Sequence, residues 1–280
     1  MSKIDFYRDC YLNTGWLPMQ PLTRGIAIGD ICQILQGRFQ PLLNVVDAHL
    51  VAQVSVSREI PLCADDWRLE QGVQQSSSEL LSAAGENGEH YLQTRQVLEF
   101  SQAGSFMFHA NEARAHLLLN WDHIRDDLTL KLTQTHYGFR EAYAVTGVVT
   151  LNEWGMAVAG QSCARLVMSA ALDSTDRFAL LSHSSARAEQ CHGMASYDKA
   201  HGLPAYFFKA RKLVLSDEMR DRYLMQLVEN QTHLRPTEIA NWLNANLLDL
   251  VKSNELNLNT SMKFFDWVDL SLDDVARLAG

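Results

Sequence analysis

Residues 141–151, EAYAVTGVVTL, and residues 155–170, GMAVAGQSCARLVMSA, decide how the rest of the chain folds. Val and Thr carry two heavy atoms on Cβ, which stiffens χ1 against a helix and suits a pleated surface. Only Asn152, Glu153 and Trp154 separate the two runs, so the pair reads as two long strands joined as a hairpin with its turn at 152–154. No other stretch carries so strong a β signal.

Working outward, residues 91–119 are also β-prone, with Phe106, Phe108 and Ala110 at period two and an interruption at Gly104. Residues 204–215 (PAYFFKARKLVL) read as another strand, and 121–132 as a helix with Asp122 and Asp126 near its start. Trp67, Leu69, Val73, Leu80 and Leu81 are spaced to allow a helix over 65–84, ended by a turn in AAGENGEH. Residues 1–60 read as short extended pieces punctuated by Pro18, Pro21, Gly25, Gly29 and Gly37, closing in a half-buried strand over 48–57. The polar stretch 172–202 reads as a loop or short helix. Two helices are expected over 217–230 and 236–252, the second with Pro236 in its first turn. A polar connector, 253–261 (SNELNLNTS), leads to a compact amphipathic tail, 262–280.

The bulk properties describe a mixed α/β globular protein. Of 280 residues, 47% are hydrophobic and 20% charged, with six prolines, so neither disorder nor a fibrous repeat is indicated. The net charge of −9 argues against a nucleic-acid partner, which needs clustered Lys and Arg, and against electrostatic docking on anionic lipid. With no secretory leader and no apolar run of about 18 residues, the expectation is a water-soluble, cytosolic chain.

Chemistry-bearing motifs are sparse. Cys10, Cys32, Cys63, Cys163 and Cys191 form an odd set with no CxxC spacing, which disfavours disulfides and zinc. Cys163 or Cys191 with His183 and His192 would make a thiol nucleophile and base, but no family signature surrounds either thiol. His183, Cys191, His192 and His201 match no zinc module, and the sequential pairs Asp65/Asp66 and Asp273/Asp274 suit a solvated surface better than acid–base work. Phosphate-loop, dinucleotide, nucleophile-elbow and zincin motifs are missing. The expectation is a protein with neither enzyme activity nor a resident metal.

Two features remain. Phe264, Phe265, Trp267, Val268, Leu270 and Leu272 set much apolar surface just beyond a protease-accessible connector. At roughly 1.5–3 kcal/mol per buried side chain such a tail would stay docked while tethered, and cutting the connector would make it a dissociable peptide. It reads either as a terminal element completing the core or as a removable plug. Cys10 reads either as an incidental thiol or as the acceptor of a palmitoyl chain, whose buried methylenes at about 0.8 kcal/mol each would outweigh an unfavourable surface charge.

Together these features resemble the bacterial gasdermins. The likeness lies in a cysteine near the start followed by YLNTGWLPMQPLTRGIAIGDICQIL (11–35), which is similar to that family's short helix, Gly-aromatic pair, proline-marked strand and Gly-Ile-x-x-Gly-Asp turn. Residues 143–151 (YAVTGVVTL) resemble its strand leading into a membrane-inserting hairpin, and 204–215 its late core strand.

The resemblance implies an α+β fold: a twisted, mainly antiparallel central sheet with surrounding helices and a short C-terminal autoinhibitory peptide. Residues 1–252 would form the pore-forming domain, 253–261 the cleavable connector and 262–280 the inhibitory peptide. A partner protease would cut among Asn254, Glu255, Leu256, Asn257, Leu258 and Asn259, removing a tail held by Phe264, Phe265, Trp267, Leu270 and Leu272. The monomers, cytoplasmic at rest, would then homo-oligomerise into β-barrel pores in the bilayer of the inner membrane, with 91–119 and 139–171 supplying hairpins, and kill the cell during phage infection. Cys10 would carry the palmitoyl group and no other cofactor is implied. The competing reading is a cytosolic binding or scaffold protein with a docked tail; a Cys/His hydrolase stands third.

Overall fold

The computed structural model describes residues 4–84, 90–134, 142–199, 204–218, 221 and 265–279. The expected helices at 217–230 and 236–252 and the connector 253–261 fall largely or wholly outside these. The described chain is α+β, with fourteen strands in two antiparallel sheets.

The first sheet is built around one strand, β9 (Tyr143–Ala159). On one side it pairs with β13 (Ala205–Leu215) and then β12 (Met194–Lys199), each over a part of its length. On the other it pairs with β2 (Asp30–Leu35) at its first two residues and then with β8 (Phe106–Leu117). Two-residue β1 (Leu17–Pro18) and β14 (Phe265–Asp269) edge β13, β3 (Arg38–Asn44) edges β2, and β4 (Ile60–Pro61) and β5 (Arg68–Gln71) edge β8.

Asn152–Trp154 is therefore no hairpin turn. The β8 ladder runs through it, matching Asn111 to Glu153 and Ala110 to Trp154, with Trp154 buried. The register is the same on both sides of Glu112, whose φ is +52°, so the two strands run past each other without an inserted residue. The chain turns at 160–163, where Cys163 takes φ +57°.

The second sheet runs β11 (Arg187–His192), β10 (Ala164–Ala170), β7 (His90–Phe100), β6 (Val73–Ala84). The helix expected over 65–84 is replaced by a 3-10 turn (Ala64–Trp67), β5 and β6. Gly72, at φ +66°, breaks the helical spacing, and a Cβ there would lie 2.4 Å from Ser105 Oγ. Three successive serines, weak helix formers, follow at 76–78. The strand expected over 48–57 is mostly turn; Val45, Leu50 and Val51 bury into the core, and only Val56 bridges Leu118. The polar stretch 172–202 contains a short helix, as one reading of it allowed, but also β11 and β12.

Helices cover both faces of the first sheet. α2 (Trp121–Gln134) packs Ile124, Leu128 and Leu132 against Ile31, Ala144 and Leu213. Opposite, α1 (Ile4–Thr14) lays Tyr7 in a cluster with Cys32, Tyr143, Val145 and Phe208. Gly15, at φ +71°, ends α1 and donates its N–H to Tyr11 O at 2.8 Å, a left-handed cap. Two further helices, α3 (Arg177–Ser182) and α4 (Leu272–Ala279), belong to the site.

Candidate functional site

The tail grips β13 from both sides. In β14 the register sets Leu213 against Trp267 and Leu215 against Phe265, so period two turns these two rings toward α2. Phe265 is buried; Trp267 stands edge-on to Trp121, ring centres 5.2 Å apart, and its indole N–H donates to Thr129 Oγ1 at 2.8 Å. Outside, Asp269 pairs with Arg211 at 3.1 Å.

The chain then crosses the sheet edge. Leu270 N–H donates to Ala210 O, and its own carbonyl accepts from Tyr11 OH at 2.6 Å, tying the tail to α1. Ser271 opens α4 as a capping box: its N–H and hydroxyl donate to Asp274 Oδ2 at 3.1 and 2.9 Å, while Asp274 N–H reaches back to Ser271 Oγ. Asp274, Val275 and Leu278, at helical spacing, bury against α1 and the sheet.

Asp274 is also the partner of Lys212 on β13, Nζ to Oδ1 3.0 Å, in a pair whose side chains are 9% and 7% exposed. Tyr143 OH donates to the same oxygen at 3.2 Å. Burial pushes the Asp274 carboxyl up, but the Lys212 ammonium and the bonds from Ser271 and Lys212 outweigh it and hold it below its ordinary value.

Of the five tail residues expected to make the contacts, Phe265 and Leu270 are buried and Trp267 partly so. Phe264 lies outside the described residues. Leu272, the first residue of α4, is 49% exposed. Sequence reasoning missed Asp274, Val275 and Leu278. The capping pattern Ser-x-x-Asp before an apolar i, i+3 pair was the signal that would have found them.

The second sheet consists of two hairpins, β6–β7 and β10–β11, side by side. Antiparallel pairing of β7 with β10 makes both open in one direction. One face carries Leu98, Phe100, Leu166 and Met168, which pack with Met107, Ala157 and α3's Leu180 and Leu181. The other carries Arg95, whose guanidinium meets Glu189 at 2.8 Å and Glu79 at 3.8 Å, interrupted by Val97 beside Val167. Toward the β6–β7 tip, Leu80, Leu81 and Leu92 are 51%, 43% and 44% exposed.

In the resting chain neither 91–119 nor 139–171 is a hairpin within one sheet. Each of those segments turns a corner, at 101–105 and 160–163, from one sheet into the other, and the hairpins pair differently. Local alternation cannot say which sheet a strand joins.

The chain resembles two solved gasdermin structures. In fold it is similar to the gasdermin A3 membrane pore, at 9% identity over 77% of this chain and 91% of that one, with a TM-score of 0.36. It is likewise similar to a bacterial gasdermin from Bradyrhizobium tropiciagri, at 9% identity, 77% and 88% coverage and a TM-score of 0.28. No protein-family model and no curated protein sequence matches it.

Cys10 sits one helical turn after Phe6 on the inner face of α1 and is fully buried, with Phe106 and Trp154 in the same cluster. Burial, with Asp9 adding to it, pushes its thiol well above the ordinary value. Beside that cluster lies a cavity of about 810 Å³, lined by Phe6, Tyr7, Met19, Phe106, Trp154 and Met156.

Cys63, Cys163 and Cys191 are exposed. Among the described residues neither Cys163 nor Cys191 is hydrogen-bonded to a histidine, and His183 Nδ1 is taken by Ser185 Oγ at 2.7 Å. Among them, too, no three His, Cys, Asp or Glu side chains gather in a way that could hold a metal ion. No described helix is long and apolar enough to cross a membrane.

Proposed function

We propose that the chain is the resting form of a gasdermin-like pore former, kept closed by residues 262–280 and activated when a partner protease cuts within 253–261. The freed monomers associate in a bilayer and their second sheets join into a closed β-barrel. Following the sequence resemblance, the resting monomer is cytoplasmic, the target is the inner membrane, and the outcome is death of a phage-infected cell.

The observation that carries this reading is the sheet of two adjacent hairpins opening one way, with an apolar face and a face bearing Arg95, Glu79 and Glu189. A spanning barrel needs that alternation, apolar toward lipid and polar toward the lumen, and needs closure so that no backbone edge meets hydrocarbon. Its outer strands, β6 and β11, each have a partner on one side only among the described residues, and the other edge would meet neighbouring copies. At 12 and 11 residues, β6 and β7 already match the roughly 9–11 a spanning strand requires. At 7 and 6, β10 and β11 must lengthen into 171–186.

The tail restrains this change through α1. Its departure removes the Tyr11–Leu270 bond and the α4 packing, loosening the helix that bears Cys10. A palmitoyl chain on Cys10 would lie in the adjacent cavity at rest and enter lipid once α1 moves. A buried, protonated thiol is a poor nucleophile, so acylation has to occur before α1 closes over the sheet.

The test uses the full chain with a specific protease site placed in 253–261 and dye-loaded vesicles. Cutting should release dye and the uncut chain should not; the cut Cys10→Ala chain should release it more slowly than the cut acylated chain. A cut chain that loses its tail and leaves vesicles sealed contradicts the pore reading and favours a scaffold with a docked tail.

A further inference from the structure

Residues 171–186, where the second hairpin has to lengthen, are folded around α3 and fastened to the first sheet by a buried histidine. His109, on β8, is 2% exposed; its Nδ1 lies 2.7 Å from Ser182 Oγ at the end of α3, and its ring meets the Phe178 ring edge-on at 5.8 Å. Asn111, two residues along the same face, donates to the same hydroxyl at 3.4 Å. From β7, Thr94 Oγ1 donates to Leu172 O, and Gln96 Nε2 to Thr175 O at 2.8 Å. The approach is close: a Cβ on Gly155 of β9 would lie 2.3 Å from the Leu181 carbonyl oxygen.

The charges around the imidazole favour its neutral form. Arg68 is its cross-strand partner on β5. The nearest carboxylate, Asp176 at the start of α3, is already bound to Arg68 at 3.1 Å and to the Phe178 N–H at 3.0 Å. Glu70 is engaged by Arg177, and both guanidiniums lie over Phe178. On β9 the residue opposite is Gly155, and Glu153, opposite Asn111, is exposed.

We propose that α3 is a latch on the second hairpin, pinned by His109, and that protonating His109 opens the latch so that 171–186 can extend into strands. The second clause rests on reading β10–β11 as a membrane-inserting hairpin. A neutral ring with its proton on Nε2 accepts the Ser182 hydroxyl proton at Nδ1; a doubly protonated ring can only donate there, so the hydroxyl has to turn round, and it sets a cation against Arg68 in a buried site. Burial, and Arg68 after it, pushes the imidazole below its ordinary 6.5, with Asp176 and a backbone bond to Phe178 opposing. The proton is therefore taken up more readily with α3 undocked. Docking is at full strength above about 6.5 and weakens as pH falls below that.

Hydrogen exchange of 171–186 in the full uncut chain, without membrane and corrected for intrinsic rates, reads the latch directly. Between about pH 7.5 and about pH 5.5 its protection should fall about tenfold. His109→Gln should abolish that pH dependence, and Ser182→Ala should lower protection at the higher pH. Protection that ignores pH in the parent chain, or keeps its pH dependence in His109→Gln, overturns the latch. In vesicles, the cut parent chain should leak faster at the lower pH and the cut His109→Gln chain should not. If exchange responds but leakage by a pore-competent cut chain does not, the link to hairpin extension is wrong. A cut chain that never leaks condemns the pore reading while the exchange result still judges the latch.

Discussion

Asp274 closes the capping box of α4, neutralises a buried Lys212 and accepts from Tyr143, so one carboxylate joins the tail to the sheet. Removing one member of a buried pair costs about 3–5 kcal/mol, because the other is left in a site built for two charges. Asp274→Asn should therefore weaken tail docking until undocking relieves the cost, read as faster exchange of 265–279 and slow leakage by the uncut chain. Unchanged exchange would show that the pair is incidental. The carboxyl is held below its ordinary 3.8, so its stabilising effect is complete above that value and is lost only as pH falls through the lower, folded one. Mild acid leaves this contact in place while it weakens the His109 latch. Neither residue stood out in the sequence: His109 lies in a β-prone run, and the adjacent Asp273 and Asp274 looked like a solvated pair. Only folding, which buries one and exposes the other, separates them.

At the scale of the element, α4 is a helix with one buried stripe, and its two leucines serve as mutual controls. Leu278→Ala should cost about 2–5 kcal/mol of docking, since Leu278 is 2% exposed, whereas Leu272→Ala should stay within about 0.5 kcal/mol. Equal losses on tail exchange or thermal melting would show that α4 does not sit as described. The alternation of Phe106, Phe108 and Ala110 in β8, the helix at 121–132 and the strand at 204–215 were legible because each is a local pattern. The single strand through 152–154 was not, since what carries the chain straight through these polar residues is the ladder with β8, a partner remote in sequence. Residues 65–84 misled for a related reason: their apolar spacing fits two periods, and pairing of β6 with β7 chose between them.

At the scale of the whole molecule, one chain of contacts among the described residues joins the tail to the second sheet. The tail clasps the β13 edge and α1; α1 packs on Phe106 and Phe108, at the corner where the first sheet turns into the hairpins. In the proposed activation, loss of the tail would reach the second sheet by this route. That such a tail exists was legible from its apolar residues behind a polar connector, but that it straddles both faces of the sheet was not, because straddling depends on which strand forms the edge. The central claim is that removing 262–280 drives β6–β7 into lipid with alternate residues facing hydrocarbon. Environment-sensitive dyes placed singly along 92–98, in a chain whose exposed cysteines are replaced by serine, test it in vesicles before and after cutting. The account predicts no emission change before the cut, and afterwards a period-two pattern with blue shifts at 92, 94, 96 and 98 and little change at 93, 95 and 97; a uniform response, or the same pattern with the tail attached, would contradict it.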